Sequence, residues 1–392
     1  MSGKSNQFKH DESKTAYFCG PSNYYNPSIE MLKIKTPTLI VDKQKAIANL
    51  KRMKERAFKA GAELRPHFKT HQSGVVGGWF REAGITKITV SSVSMAAYFA
   101  HHGFTDITIA FPFNRLEMDE LKALMHKVKI NLVVSSLNTL ENIHQSVEKE
   151  IDIYLKIDAG THRSGIDITE KEVIKDFFYQ SKKLSKIKMV GFLVHAGHAY
   201  QAKGADEIQS IADECFRALS DLKNLFPEQQ LLTSWGDTPS CSTAEMTAYF
   251  DEWRPGNFIF YDVMQYHIGS CTMHDIAVAV ACPVVEVHTT RNQLVIYGGA
   301  VHLSKDFIAA DNGFKLFGYV VRFTATGWSE PLPGAWLASI SQEHGVVQLT
   351  TEQLKDFRAG DVIGILPIHS CLAVSALRDM KDLNNHAIPC MK

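Results

Sequence analysis

A strand–helix rhythm running from Thr38 to Ser234 does most to limit what this chain can fold into. Thr38-Leu39-Ile40-Val41-Asp42 is a β-rich apolar run entered through Pro37. Lys43 to Ala60 then places Ala46, Ile47, Leu50, Met53, Ala57 and Phe58 at helical spacing, with Gly61 as its stop. The couplet repeats. Strands are predicted over Leu64–Lys69, Lys87–Ser91, Asp106–Ala110, Lys129–Ser135, Ile151–Asp158, Lys188–His195 and Leu231–Ser234. Helices are predicted over Val75–Ala83, Ser94–His102, Arg115–His126, Leu137–Val147, Glu170–Leu184 and Ala205–Leu225. Counted from Thr38, eight strands separated by helices require a parallel sheet with right-handed crossovers. Eight units suggest an α/β barrel of the TIM type, and an open doubly wound sheet has the same rhythm. No G-x-G-x-x-G follows the first strand, which disfavours a dinucleotide-binding sheet.

After about residue 275 the pattern changes to short β-rich runs punctuated by Gly and Pro, among them Val284–His288, Gln293–Tyr297 and Tyr319–Phe323. This half reads as an all-β domain, a small sandwich or barrel. The expected division is a barrel over 36–270 and a β domain over 271–392. Residues 1–35 are polar and lack a helical stripe before Ile29-Glu30-Met31-Leu32, so they read as a disordered lead or as an arm packed elsewhere. Balanced charge argues against nucleic-acid or membrane-surface partners, because no basic field exists to meet phosphates or anionic lipid. No apolar run approaches the ~20 residues of a membrane helix. Seven scattered cysteines without framework spacing, and a polar N-terminus, point to the cytoplasm.

In a parallel α/β barrel the loops after the strand C-termini form the active face. Arg65-Pro66-His67-Phe68-Lys69-Thr70-His71 ends the second predicted strand. By alternation Arg65, His67 and Lys69 share one side, so Lys69 is either an amine beside cationic groups or part of a solvated basic edge strand. Asp158 to Arg163, His195 to Tyr200 and Ser234 to Ser240 follow the sixth, seventh and eighth predicted strands. The turns Gly236-Asp237-Thr238 and Arg254-Pro255-Gly256-Asn257 can present backbone N–H groups to a phosphate, or be plain turns. A lysine opposite two such turns outlines pyridoxal phosphate, with a phosphate at one end and a lysine-reactive aldehyde at the other. His369-Ser370-Cys371 sets an imidazole and a thiol at i and i+2, which on an extended segment reach one side and favour zinc, or is a buried Cys beside an incidental His.

These stretches, with Lys156 to Gly165, Val194 to Tyr200, Tyr261-Asp262 and Ser341-Gln342-Glu343-His344-Gly345, resemble the D-serine dehydratase and D-threonine aldolase family, alanine-racemase-like pyridoxal enzymes of fold type III. The matching stretches run in family order from residue 36 to 371. The resemblance implies a barrel plus a β domain built from both chain ends, paired as a homodimer. Lys69 would hold pyridoxal 5'-phosphate and move the α-proton. Arg163 would contact the cofactor ring oxygen, and Gly236, Thr238, Gly256 and Asn257 would hold the phosphate. Tyr200 and His195 or His198 would line the substrate side. His369 and Cys371 would bind Zn2+ or another divalent metal, with Glu343 and His344 as outer partners or proton carriers. Two residues depart from the pattern: Asp237 sets a carboxylate in the phosphate turn, and Gly74 to Trp79 is unusually glycine-rich. Family members with His-x-Cys resemble dehydratases and those with His-x-Asp aldolases. The expected reaction is therefore elimination of water from a D-β-hydroxy amino acid, D-serine to pyruvate and ammonia. The alternatives are retro-aldol cleavage of a D-3-hydroxy amino acid and, third, racemisation. A non-catalytic cofactor carrier needs neither the β domain nor the His-x-Cys pair.

Overall fold

The computed structural model describes residues 34–309 and 313–392. The readings made for residues 1–33 lie outside them. Eight parallel strands follow one another round a sheet in the order Glu63–Leu64, Glu252–Trp253, Leu232–Trp235, Ile187–Val194, Ile151–Asp158, Lys129–Val134, Asp106–Pro112 and Lys87–Val90. The sheet closes beyond Leu64. His67 N donates to Pro255 O at 2.9 Å on one side, and Phe68 N donates to Thr89 O at 2.9 Å on the other. Pro66 has no N–H to give, so regular strand geometry stops at Leu64 while the hydrogen bonding continues.

The chain thus forms the expected α/β barrel with a separate β domain, but the strand count shifts. Thr38–Val41 is not a barrel strand. It pairs antiparallel with Val278–His288 and parallel with Asp379–Asp382 in the β-domain sheet. It is apolar and precedes a helix, which is how a barrel strand looks in sequence. The missing eighth strand is Glu252–Trp253, too short to show a period. The loops carrying Lys69, Arg163, His195 and Gly236 therefore follow the first, fifth, sixth and seventh barrel strands.

The helix Lys43–Lys59 starts where predicted because Asp42 Oδ1 accepts from Gln44 N at 3.0 Å and Lys45 N at 3.1 Å. It stops at Gly61, whose φ of 73° is left-handed. In the β domain six strands close on themselves, because Gln293–Tyr297 pairs with both His344–Gln348 and Val278–His288. The β domain is therefore a small barrel extended by Thr38–Val41, Asp379–Asp382 and Ala387–Pro389. Among the described residues no helix is long and apolar enough to cross a membrane.

The alternation read in Arg65–Lys69 holds, but Arg65 is not beside Lys69. It lies deep in the barrel, where Nε meets Glu252 Oε2 at 2.6 Å and Nη1 meets Asp106 Oδ1 at 2.7 Å. Ser234 Oγ joins Glu252 to Arg254, at 2.6 Å on each side. Phe68 faces outward into Phe80, Phe99 and Phe104, and His71 stacks in the same cluster. His71 Nδ1 accepts from Ser73 N at 3.1 Å, and burial pushes the ring pKa down to about 3. An unfolded chain protonates this histidine below about pH 6.5 and the native chain does not, so acid favours unfolding. Between pH 7 and 5 the loss from this group is about 2 kcal/mol. Urea unfolding at the two pH values should show His71→Leu losing about that much less stability than the parent. An identical loss in both proteins would contradict a neutral buried ring.

Candidate active site

The barrel mouth and the β domain enclose a cavity of about 550 Å³. His67 and Lys69 enter it from the first strand and Lys156 from the fifth, with Arg163 and Ser164 on the loop that follows. His195, Tyr200, Gly236, Asp237, Arg254, Gly256 and Asn257 come from the loops after the last three strands. The β domain contributes His369, Cys371 and Leu372.

Lys69 sits on a pinned loop. Its backbone N donates to His67 Nδ1 at 3.3 Å, and its carbonyl accepts from Gln72 Nε2 at 3.1 Å. Gln72 in turn donates to Ser375 Oγ at 2.9 Å, and its carbonyl accepts from Met391 N at 2.6 Å. The Lys69 side chain opens to solvent through the cavity, yet protein surrounds it. Burial lowers its pKa first; Arg163 and Arg254 push the same way, and Cys371 opposes. Burial likewise pulls the His67 imidazole well below its ordinary value, with Lys69 adding to the effect. His195 falls to about 3 from burial, then from Lys69 and Arg163, and its Nδ1 contacts the Gly236 carbonyl. Lys156 is brought by burial and Arg254 to about 7, and its Nζ donates to Ile157 O at 2.7 Å. On this side of the cavity Lys69, Lys156, His67 and His195 are thus held toward their neutral forms.

Opposite Lys69 is a cradle of donors. Thr238 Oγ1 and Ser240 Oγ are buried without a hydrogen-bond partner among the described residues. Tyr200 OH meets Thr238 N at 3.3 Å, and burial raises the phenol pKa, so the hydroxyl stays a donor. Gly236 packs on the Arg254 guanidinium, where a Cβ would lie 3.0 Å from Nη1; at Gly256 a Cβ would lie 2.8 Å from His67 O. Asp237 caps the helix Thr238–Thr243 by accepting from Ser240 N at 2.6 Å, and burial lifts its carboxyl to about 7, muting its charge. Unsatisfied buried hydroxyls, two tight turns and a lysine fit a pyridoxal cofactor with its phosphate at Thr238.

His369 and Cys371 share the cavity, but not on an extended segment. His369 is the N-cap of the helix Ser370–Leu377, with φ of −133°, and Cys371 is inside that helix. Cys371 Sγ lies 3.3 Å from Thr70 Oγ1 and 3.6 Å from Asn257 Nδ2. Burial raises the Cys371 thiol, and contact with His369 more than reverses this, leaving it below its usual value. For His369, burial depresses the ring while Cys371, Asp262 and Asp306 lift it to about 9. An imidazole with a readily ionised thiol fits a soft divalent ion. No third His, Cys, Asp or Glu completes a metal cluster among the described residues, so the other coordination positions would be left to water or substrate.

Of the residues predicted from sequence, Lys69, Arg163, His195, Tyr200, Gly236, Gly256, Asn257, His369 and Cys371 line this one cavity. Thr238 lies behind the wall through Tyr200. His198 is half-buried outside the lining, with Nδ1 unpartnered. Glu343 is also outside it, 3.6 Å from His302 Nε2. Lys156, Arg254, His67 and Asp262 also line the cavity; the sequence showed each only within a longer stretch, without a site role of its own. Lys156 carried a signal, since it points inward by alternation along its strand, whereas Arg254 follows a strand too short to show one. Asp262 carried none: it lines the cavity and accepts from Asn257 Nδ2 at 2.6 Å and Ser370 N at 2.9 Å, contacts that only the fold brings together.

Residues 41–263 match the family described as Alanine racemase, N-terminal domain, and residues 277–381 match a serine dehydratase domain. D-serine dehydratase of Dictyostelium discoideum is 28% identical over 382 residues, covering 90% of this chain and 94% of that protein. D-threonine aldolase of Arthrobacter sp is 22% identical over 243 residues, covering 60% of this chain and 64% of that protein. The solved structure of D-threo-3-hydroxyaspartate dehydratase from Delftia sp. HT23 superimposes with a TM-score of 0.84 at 23% identity, covering 92% of this chain and 98% of that one.

Proposed function

The chain belongs to the alanine racemase N-terminal domain family and carries a serine dehydratase domain behind it, and from that premise we propose a pyridoxal-phosphate- and zinc-dependent lyase that removes water from a D-β-hydroxy amino acid, D-serine to pyruvate and ammonia. One observation carries the proposal. A lysine held toward its neutral amine and a His–Cys pair occupy the same cavity, joined through Thr70, whose hydroxyl touches Cys371 at 3.3 Å.

Lys69 Nζ, favoured as the free amine, takes the Cα proton. When bound, the cofactor ring supplies a sink for the electron pair left on Cα, and the metal on His369 and Cys371 supplies Lewis acidity toward the β-oxygen. Arg163 would lie beside the cofactor ring, and Tyr200 and Thr238 would hold its phosphate. His67 and His195, held neutral, add no charge beside Lys69, whose amine is kept free by burial and by Arg163 and Arg254. The β-hydroxyl leaves with a proton as water. The released 2-aminoacrylate takes up water and yields pyruvate and ammonia.

Retro-aldol cleavage is the second reading. His195 lines the cavity as a neutral imidazole and could receive a β-hydroxyl proton, but its depressed pKa makes it a weak base, which counts against this reading. Softness of the Cys371 ligand and the near full-length likeness to a D-serine dehydratase favour elimination. Protein supplied with pyridoxal phosphate and zinc should form pyruvate and ammonia in equal amounts from D-serine, far faster than from L-serine. No pyruvate from D-serine, or equal rates on both enantiomers, would contradict the proposal.

We further infer a homodimer: Phe111, Leu116, Phe307 and Leu372 are exposed apolar side chains, and Phe111 and Leu372 rim the cavity. Free cysteines support a reducing cytoplasm.

A further inference from the structure

We propose that Asp306 is the positioning residue of the metal site, holding the His369 imidazole so that Nε2 is the nitrogen offered to the metal. The inference rests on the metal assignment of the proposed function and goes one step outward from it.

Asp306 Oδ2 lies 3.0 Å from His369 Nδ1. A carboxylate accepts, so Nδ1 carries a proton, and Nε2 is the nitrogen left to meet a metal once its own proton is displaced. Left alone, the imidazole exchanges tautomers and rotates about its side-chain bonds, and only one arrangement serves the ion. Cys371 has its own outer contacts, to Thr70 and Asn257. Each member of the pair thus has a neighbour of its own besides the other.

The segment carrying Asp306 is built to aim it. Gly299 packs so tightly on the Ser341–Glu343 turn that a Cβ would lie 2.5 Å from Gln342 O. Gly298 N donates to Glu343 O at 3.0 Å, and Ala300 N to Ser341 O at 2.8 Å. These bonds seat the short helix Ala300–Leu303 on the turn. Ser304 leaves that helix with a left-handed φ of 77°, and its Oγ accepts from Asp306 N at 3.2 Å. Glu343 belongs to the same scaffold through His302. Residues 341–345 thereby gain a role: they support the platform from which Asp306 reaches His369.

Outer carboxylates of this kind contribute about 10–100-fold to metal affinity. The test is a zinc titration against a competing chelator, on cofactor-loaded protein, for the parent, Asp306→Asn, Asp306→Glu and Cys371→Ala. Melting temperatures of the metal-free proteins are measured alongside. Asp306→Asn should bind zinc about 10–100-fold more weakly with melting temperature and cofactor absorbance unchanged. Asp306→Glu, which keeps the charge, should recover part of the loss. If Asp306→Asn melts early, Asp306→Glu alone decides, and its zinc affinity should lie below the parent's. Affinity equal to the parent's in whichever variant keeps its fold overturns the role of Asp306. A parent that binds zinc no better than Cys371→Ala overturns the metal assignment itself.

Discussion

Replacing Lys69 with alanine should cut pyruvate formation from D-serine by about 10⁴-fold, the upper end of what one positioned acid–base group contributes. The large effect follows from the surroundings. Lys156, the other amine in the cavity, is engaged with the Ile157 carbonyl at 2.7 Å. His67 and His195 are neutral and held by backbone contacts. Among the described residues that line the cavity, no other amine or imidazole beside Lys69 is free to take over. The substitution should also shift the bound cofactor's visible absorption from that of a lysine adduct to that of the free aldehyde. The loop itself should survive, because its hydrogen bonds to His67 and Gln72 use the Lys69 backbone. A lysine-type spectrum in Lys69→Ala, or a rate within tenfold of the parent, would show that another residue holds the cofactor.

Cys371→Ala should lower D-serine elimination by about 10³-fold, equivalent to about 4 kcal/mol of transition-state stabilisation. Alanine suits a helix interior, so Ser370–Leu377 should persist. Cofactor loading should be unchanged while zinc content falls. Chelation of the parent should give the same loss, reversed by added zinc. Full activity in the variant, or after exhaustive chelation, would remove the metal from the reaction. The two substitutions therefore separate two halves of one site: Lys69 governs proton removal and cofactor capture, and Cys371 governs departure of the β-hydroxyl.

Particular residues show how far the sequence could be read. Repeated strand–helix couplets were plain because each helix shows an apolar stripe and most strands are continuous apolar runs. The count went astray at its two ends for different reasons. Thr38–Val41 has barrel-strand chemistry but its partners lie some 240 and 340 residues away, and no local pattern reveals them. Glu252–Trp253 is a strand through its neighbours alone. Lys69 was legible from its place at the end of a predicted strand, and His369 and Cys371 from their spacing together with the family resemblance. The Arg65 ion pairs were not, since Glu252 and Asp106 come from distant strands. Asp306 was invisible for the same reason, being a half-exposed aspartate in a loop until the fold brings it to His369. The His-x-Cys spacing was read as extended backbone, whereas a helix start turns both donors into the cavity.

D-threonine offers the most direct test of whether this cavity breaks the Cβ–O bond or the Cα–Cβ bond, since either outcome leaves a distinct product. Protein loaded with pyridoxal phosphate and zinc should convert it chiefly to 2-oxobutanoate and ammonia. Glycine and acetaldehyde as the only products would contradict elimination and assign the His369–Cys371 pair to carbon–carbon cleavage.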